Sequence, residues 1–106
     1  MYEYKAKLLR VVDGDTCHLE IDLGLETYRR IVVRLARINA PEMKTPEGPI
    51  AKQYLAGLLE PEKDSLIVQT IKDTQEKYGR YLVEIVGSHG NVNDAMLAGG
   101  MAVPYK

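Results

Sequence analysis

From Tyr4 to Leu35 the chain alternates apolar and polar residues, with breaks at Asp13-Gly14 and Leu23-Gly24. A repeat of two sends successive side chains to opposite faces of a pleated strand. Residues 4–12 read as a first strand, with Ala6 and Leu8 set against Lys5 and Lys7. After the Asp-Gly turn, Cys17, Leu19 and Ile21 point inward and His18, Glu20 and Asp22 outward, which makes a hairpin. Beyond Leu23-Gly24, Ile31, Val33 and Leu35 continue the inward set on a third strand, with Arg30, Val32 and Arg34 on its other face. Arg37 falls in the apolar phase, so regular pairing is expected to end or bulge near Ala36. Pro41 closes the segment, because it has no amide proton for a central ladder.

The remainder alternates in kind. Residues 43–48 form a short polar loop, and Pro49 suits the first turn of a helix. Ala51, Tyr54, Leu55, Leu58 and Leu59 then recur at helical spacing on one face until Pro61. Residues 66–71 and 81–86 read as a fourth and a fifth strand, joined by a polar connection over residues 73–79. Gly87-Ser88-His89-Gly90 is a further turn, Asn93 is the expected N-cap of a short helix through Ala98, and Gly99-Gly100 ends that helix. Three strands, a helix, two strands and a helix predict one α+β, mainly β, domain over residues 1–106, with no internal repeat or linker.

Composition limits the chemistry. With 45% hydrophobic and 27% charged residues, the 106-residue chain has an ordinary soluble profile. No apolar run approaches the roughly 20 residues of a membrane span, so no membrane association is expected. A net charge of -1 argues against a broad basic surface. An anionic substrate would therefore need clustered arginines. Cys17 is the single cysteine, and His18 and His89 lack a ligand spacing, so any metal would be held by oxygen. Met-Tyr-Glu-Tyr-Lys at the start is not a secretory signal, which fits a cytoplasmic protein or the mature fragment of a secreted one.

Where the third strand runs out, Arg34-Leu35-Ala36-Arg37-Ile38-Asn39-Ala40-Pro41-Glu42 brings a guanidinium, an amide and a carboxylate to a polar corner. Asp13-Gly14-Asp15 is a common hairpin turn, and it is equally a way to aim two carboxylates to one side. In that second reading Asp15 ligates a hard divalent cation and Asp13 acts through water, while Asn39 adds an amide oxygen and Ala40 a main-chain carbonyl. Arg34 is either a surface ion-pair partner or one of two forks, with Arg80, that clamp a phosphate. Glu42 is a solvated loop acid or the group that orients and deprotonates water. Tyr78 suits a turn, and it also suits a phosphate or a base.

Together with Val12-Asp13-Gly14-Asp15-Thr16, Lys77-Tyr78-Gly79-Arg80, Val92-Asn93-Asp94-Ala95-Met96-Leu97 and Gly100-Met101-Ala102, this corner resembles the ordered motifs of the staphylococcal nuclease (thermonuclease) homologues. The resemblance covers nearly the whole chain. It implies an OB-fold, a five-stranded barrel with two packed helices, and a calcium-dependent phosphodiesterase that acts on DNA and RNA, preferably single-stranded, and leaves 3′-phosphate ends. It assigns Arg34, Glu42 and Arg80 to catalysis and Asp15, Asn39 and Ala40 to calcium, with Asp13 and Thr16 supporting. Lys77 and Tyr78 match contacts to a second phosphate.

Two departures from the family pattern stand out. The best-studied members carry an aspartate where this chain has Asn39, so a weak calcium site, or one for another divalent ion, is expected. Fuller members also continue into another helix, so self-association is one expected way of covering the core. The rival reading is a catalytically weak or inactive OB-fold module that binds single-stranded nucleic acid or a protein partner.

Overall fold

The computed structural model describes residues 2–75 and 77–105. The alternating N-terminal third forms β1 (Tyr2–Asp13), β2 (Thr16–Asp22) and β3 (Tyr28–Leu35), an antiparallel meander. The later strands are β5 (Leu66–Gln75) and β6 (Tyr81–Gly87), and between the two sets lie the short β4 (Ile38–Asn39) and the helix α1 (Glu47–Leu59). β5 pairs antiparallel with both β1 and β6. β6 then meets β3 in parallel, Val33 opposite Tyr81 and Leu35 opposite Val83. The five strands close into a mixed barrel, the OB-fold that the resemblance implied. Closure gives every barrel strand two neighbours and leaves no long open edge.

The inward phase expected of the first three strands holds, with Ile31 only partly buried, and the two later strands add to it. Cys17, Leu19, Val33, Leu35, Val68, Val83 and Ile85 are buried in the barrel, and Leu55 and Leu59 of α1 close over them. Fully burying a side chain of this kind contributes about 1.5–3 kcal/mol. No helix among the described residues is long and apolar enough to cross a membrane.

Several boundaries differ from the sequence reading, each for a local reason. α1 begins at Glu47 with Pro46 as its cap, so the polar loop is shorter than residues 43–48. Its packed face is Gly48, Ala51, Leu55 and Leu59, whereas Tyr54 lies at the margin, its hydroxyl against Gly99. β5 runs on to Gln75, through the first three residues of the expected 73–79 connection, because the ladder to β6 resumes with Gln75 opposite Tyr81. Glu76, in that connection, lies outside the described residues.

The second helix, α2 (Val92–Ala98), follows the two-residue β7 (Gly90–Asn91) and is capped by Asn91, not Asn93. The Asn91 side chain accepts the Asp94 N–H at 2.9 Å. Asn93 sits inside the first turn and is completely buried. Its amide nitrogen donates to the carbonyls of Ala36 and Val83, both at 3.0 Å, and its amide oxygen accepts the Ile85 N–H at 3.1 Å. Those main-chain groups lie just past the end of β3 and in the middle of β6, and the Val83 carbonyl also accepts the Ala36 N–H at 2.8 Å, so the asparagine ties the helix to the strands where their ladder stops.

The strand ending expected near Ala36 occurs as a turn, with Arg37 at a φ of +69°. After it, β4 pairs with the short β8 (Val103–Pro104), and Tyr105 N–H donates to the Arg37 carbonyl at 2.8 Å. The C-terminal segment is thereby laid across the end of β3.

Candidate active site

The Asp13-Gly14-Asp15 turn is seated against α1 and the strand-end corner. A Cβ on Gly14 would stand 2.7 Å from the Ala40 Cβ and 2.8 Å from the Ala51 Cβ, so only glycine lets the turn approach this closely. Asp13 accepts the Asp15 N–H at 3.0 Å, an Asx-type bond that fixes the turn. Burial pushes the Asp13 carboxyl above its usual range; the Asp15 N–H pulls it down, and the Asp15 carboxylate adds to the rise.

Asp15 is buried, and both of its oxygens are engaged. Oδ1 accepts the Thr16 hydroxyl at 3.1 Å, and Oδ2 accepts the Ala40 N–H at 3.0 Å. Arg34, opposite Thr16 across the β2–β3 ladder, directs Nη2 toward Asp15 Oδ2 at 3.7 Å and donates from the same nitrogen to Asn39 Oδ1 at 3.3 Å. Nη1 donates to the Leu35 carbonyl at 3.4 Å. Arg34 thus faces away from the inward residues, as expected, yet it is only 9% exposed. The Tyr105 ring lies 4.9 Å from its guanidinium, on the segment that crosses this end of the strand.

Arg80 arrives from the start of β6 and donates from Nη1 to the Thr16 hydroxyl at 3.1 Å. The Tyr78 ring lies 5.5 Å from the Arg80 guanidinium and 5.0 Å from Lys77 Nζ, in the geometry of cation–π contacts. Tyr78 is 70% exposed, so this aromatic edge faces solvent.

Glu42 stands apart from this cluster. Its side chain is 71% exposed, and its carboxylate pairs with Lys44 at 3.2 Å. Its main chain is fixed more firmly: the carbonyl accepts the Thr45 N–H at 3.0 Å and the Thr45 hydroxyl at 2.7 Å. A Cβ on Gly48 would collide with that same carbonyl, so the loop closes directly on the first turn of α1. The structure therefore brings Asp15, Thr16, Arg34, Asn39, Ala40 and Arg80 together, sets Lys77 and Tyr78 at the rim, and leaves the Glu42 carboxylate in solvent.

Among the described residues, no three His, Cys, Asp or Glu side chains form a metal cluster. The oxygen chemistry of the corner still suits a hard cation. Asp15 supplies a carboxylate tied to the Ala40 amide, and the amide oxygen of Asn39 lies within reach of the same Arg34 nitrogen. The charge of that donor set is low, because Asn39 contributes a dipole and no formal charge.

Sequence reasoning did not give Arg37 a role. It forks onto buried Glu84, with Nε to Oε2 at 2.8 Å and Nη2 to Oε1 at 2.7 Å, and Nη2 also reaches Asp94 at 2.7 Å. The hydrogen bonds to Glu84 first, and then to Asp94, hold this guanidinium even more firmly charged than usual. The visible signal was its place in the apolar phase of the strand. Tyr105, the other residue without an assignment, carried no such signal.

A closed five-stranded barrel whose charged cluster lies at the end of its third strand defines a nuclease-like OB-fold. The family model described as "Staphylococcal nuclease homologue" matches residues 32–106, and the chain belongs to that family. It is 34% identical to Protein ParB of Escherichia coli, across 98% of this chain and 59% of that protein. It is 31% identical to a Micrococcal nuclease of Shigella flexneri, across 98% and 60% respectively. Against Endonuclease YhcR of Bacillus subtilis (strain 168) the identity is 33%, over 97% of this chain and 9% of the relative. The chain thus spans about three-fifths of two of these relatives and under a tenth of the third.

Proposed function

We propose that this chain is a divalent-cation-dependent nuclease that hydrolyses phosphodiester bonds in DNA and RNA, preferably single-stranded, and leaves 3′-phosphate ends. One observation carries the reading: Arg34, on β3, and Arg80, immediately before β6, are anchored to the adjacent residues Asp15 and Thr16, whose side chains are hydrogen-bonded to each other. Two forks converging on one point supply the donors that a phosphoryl group under attack requires. Family membership and the nuclease names of two relatives support the same reading.

In the mechanism, Arg34 and Arg80 bind the non-bridging oxygens and offset the negative charge that grows on them. Glu42 accepts a proton from the attacking water, whose oxygen bonds to phosphorus as the P–O5′ bond breaks. The 5′-oxygen departs with the bonding electron pair and takes a proton from solvent. Lys77 and Tyr78 hold the adjacent phosphate or base. The cation, calcium as the family resemblance implies or another hard divalent ion that the oxygen donors would equally suit, would be held by Asp15, Asn39 and the Ala40 carbonyl, with Asp13 and Thr16 supporting, and when bound it would supply further positive charge against the phosphate.

The test is incubation with single-stranded DNA and calcium, with chelator and variant controls. Cleavage should stop with chelator, and Arg34→Ala, Arg80→Ala and Glu42→Gln should each lose about a hundredfold to a thousandfold in rate while keeping the wild-type circular dichroism. Intact DNA with every divalent ion tried, together with retained binding, would replace the nuclease by a binding module.

A further inference from the structure

Among the described residues, the left-handed backbone outside glycine is confined to Leu25 (φ +54°) and Glu26 (φ +61°), in the exposed β2–β3 turn, and Arg37 (φ +69°). Glycine adopts this conformation freely and arginine does not, so at Arg37 it persists because the surroundings hold it. The hold is on the side chain. Both oxygens of Glu84, buried on β6, take the Arg37 fork, and Asp94, in the first turn of α2, accepts the same Nη2. Asn91 also donates to Glu84 Oε1 at 2.9 Å, so the acceptor is itself fixed from a second side. The main chain on either side of Arg37 leads to the proposed site. Before it, Leu35 N–H donates to the Asp15 carbonyl and Ala36 N–H to the Val83 carbonyl, each at 2.8 Å. After it, Asn39 Oδ1 accepts Arg34, and Ala40 N–H donates to Asp15 Oδ2. The Arg37 carbonyl accepts the Tyr105 N–H, and the Tyr105 ring lies 4.9 Å from the Arg34 guanidinium. Two of the contacts on Arg34, from Asn39 and Tyr105, thus depend on the direction the chain takes at Arg37.

We propose that Arg37 is a positioning residue of this site: its fork on Glu84 and Asp94 holds a strained turn that brings Asn39 and Ala40 back onto Arg34 and Asp15 and seats Tyr105 over the guanidinium. The inference rests on the nuclease reading above. The Arg37 guanidinium is itself engaged by two carboxylates, so its effect on a phosphate passes through Arg34. Arg34 is asked to meet charge that develops as the phosphate is attacked, and a donor preorganised for that charge acts mainly on the transition state. Loosening the turn therefore lowers kcat and leaves KM nearly unchanged.

The experiment compares wild type with the double variant Arg37→Gly, Glu84→Gln. Glycine accepts the left-handed turn and glutamine leaves no unpaired charge in the interior, so the wild-type circular dichroism should be kept. Hydrogen exchange at the Ala40 and Tyr105 amides should quicken about tenfold, which reads the turn without any turnover. On single-stranded DNA with saturating calcium, kcat should fall about tenfold with KM within about twofold, the effect expected of a residue that orients a site's own groups. Leu25→Gly, which relieves the same backbone conformation in the β2–β3 turn, should change neither readout. Arg37→Lys, which keeps the charge but not the fork, should lose about threefold in kcat, and it decides the matter if the double variant does not fold. A kcat within about twofold of wild type in the folded double variant would overturn the proposal, and quickened exchange beside that kcat would make Arg37 a residue of the fold alone. An Arg37→Lys kcat equal to that of wild type would overturn it too. Wild type that cleaves no nucleic acid with any divalent ion would remove the nuclease reading, and the positioning role with it, before any variant is compared.

Discussion

At Asn39 the side-chain oxygen accepts the Arg34 guanidinium at 3.3 Å, so one residue contributes both to holding the arginine and to the proposed cation site. A neutral amide orients Arg34 without adding charge. At an effective dielectric near 20, a unit charge pair about 4 Å apart is worth roughly 4 kcal/mol, an upper guide for a wet corner. Asn39→Asp should therefore tighten calcium binding at least tenfold by calorimetric titration, a readout independent of turnover. Equal affinities would show that the missing charge does not limit the site. The burial of Arg34 was not legible in the chain, because the alternation places it on the outer face and is silent about what lies over that face. The cover comes from Asp15, Asn39 and Tyr105, three segments that only the fold brings together.

Among the elements, α2 shows how far local patterns reach. Its presence and its approximate ends follow from short-range propensity and from Gly99-Gly100, but its cap does not. Two asparagines two residues apart compete for that position, and the choice of Asn91 depends on Asn93 being claimed by Ala36, Val83 and Ile85. Asn91 gains further from donating to Glu84 at 2.9 Å. Asn93→Ala would remove the partner of the Ala36 carbonyl and the Ile85 N–H, at about 1–3 kcal/mol apiece before relaxation, while the Val83 carbonyl keeps the Ala36 N–H at 2.8 Å. A net loss of about 2–4 kcal/mol in urea denaturation is expected, and a loss below about 0.5 kcal/mol would mean that water replaces the amide at no cost. The strands were more legible, since their inward phase depends only on the pleat. Their ends were not, because β5 extends for as long as β6 offers a partner.

For the whole molecule, the closed barrel hides Cys17 completely. Burial, with a smaller contribution from the Asp13 charge, pushes the thiol from 9.0 up to about 12. The folded state therefore holds this proton after the unfolded chain has lost it. Between about pH 9 and 12 the thiol lowers stability as pH rises, by at most about 1.4 kcal/mol per pH unit. At pH 8 a thiol reagent should leave native protein unmodified and label one equivalent in urea, and rapid native labelling would contradict a closed barrel.

The parallel pairing of β3 with β6 has a further consequence. It is a seam between strands far apart in the chain, and it is the only parallel ladder among the described strands. Arg34 lies on one lip of that seam, and Arg80 immediately precedes the other. The two guanidiniums are brought to the Asp15-Thr16 pair only when this seam is fastened, so a chain with its meander and α1 already formed still lacks the proposed phosphate clamp. On the proposed function, catalytic competence and topological closure would be one event, and recovery of activity during refolding would serve as a clock for the seam.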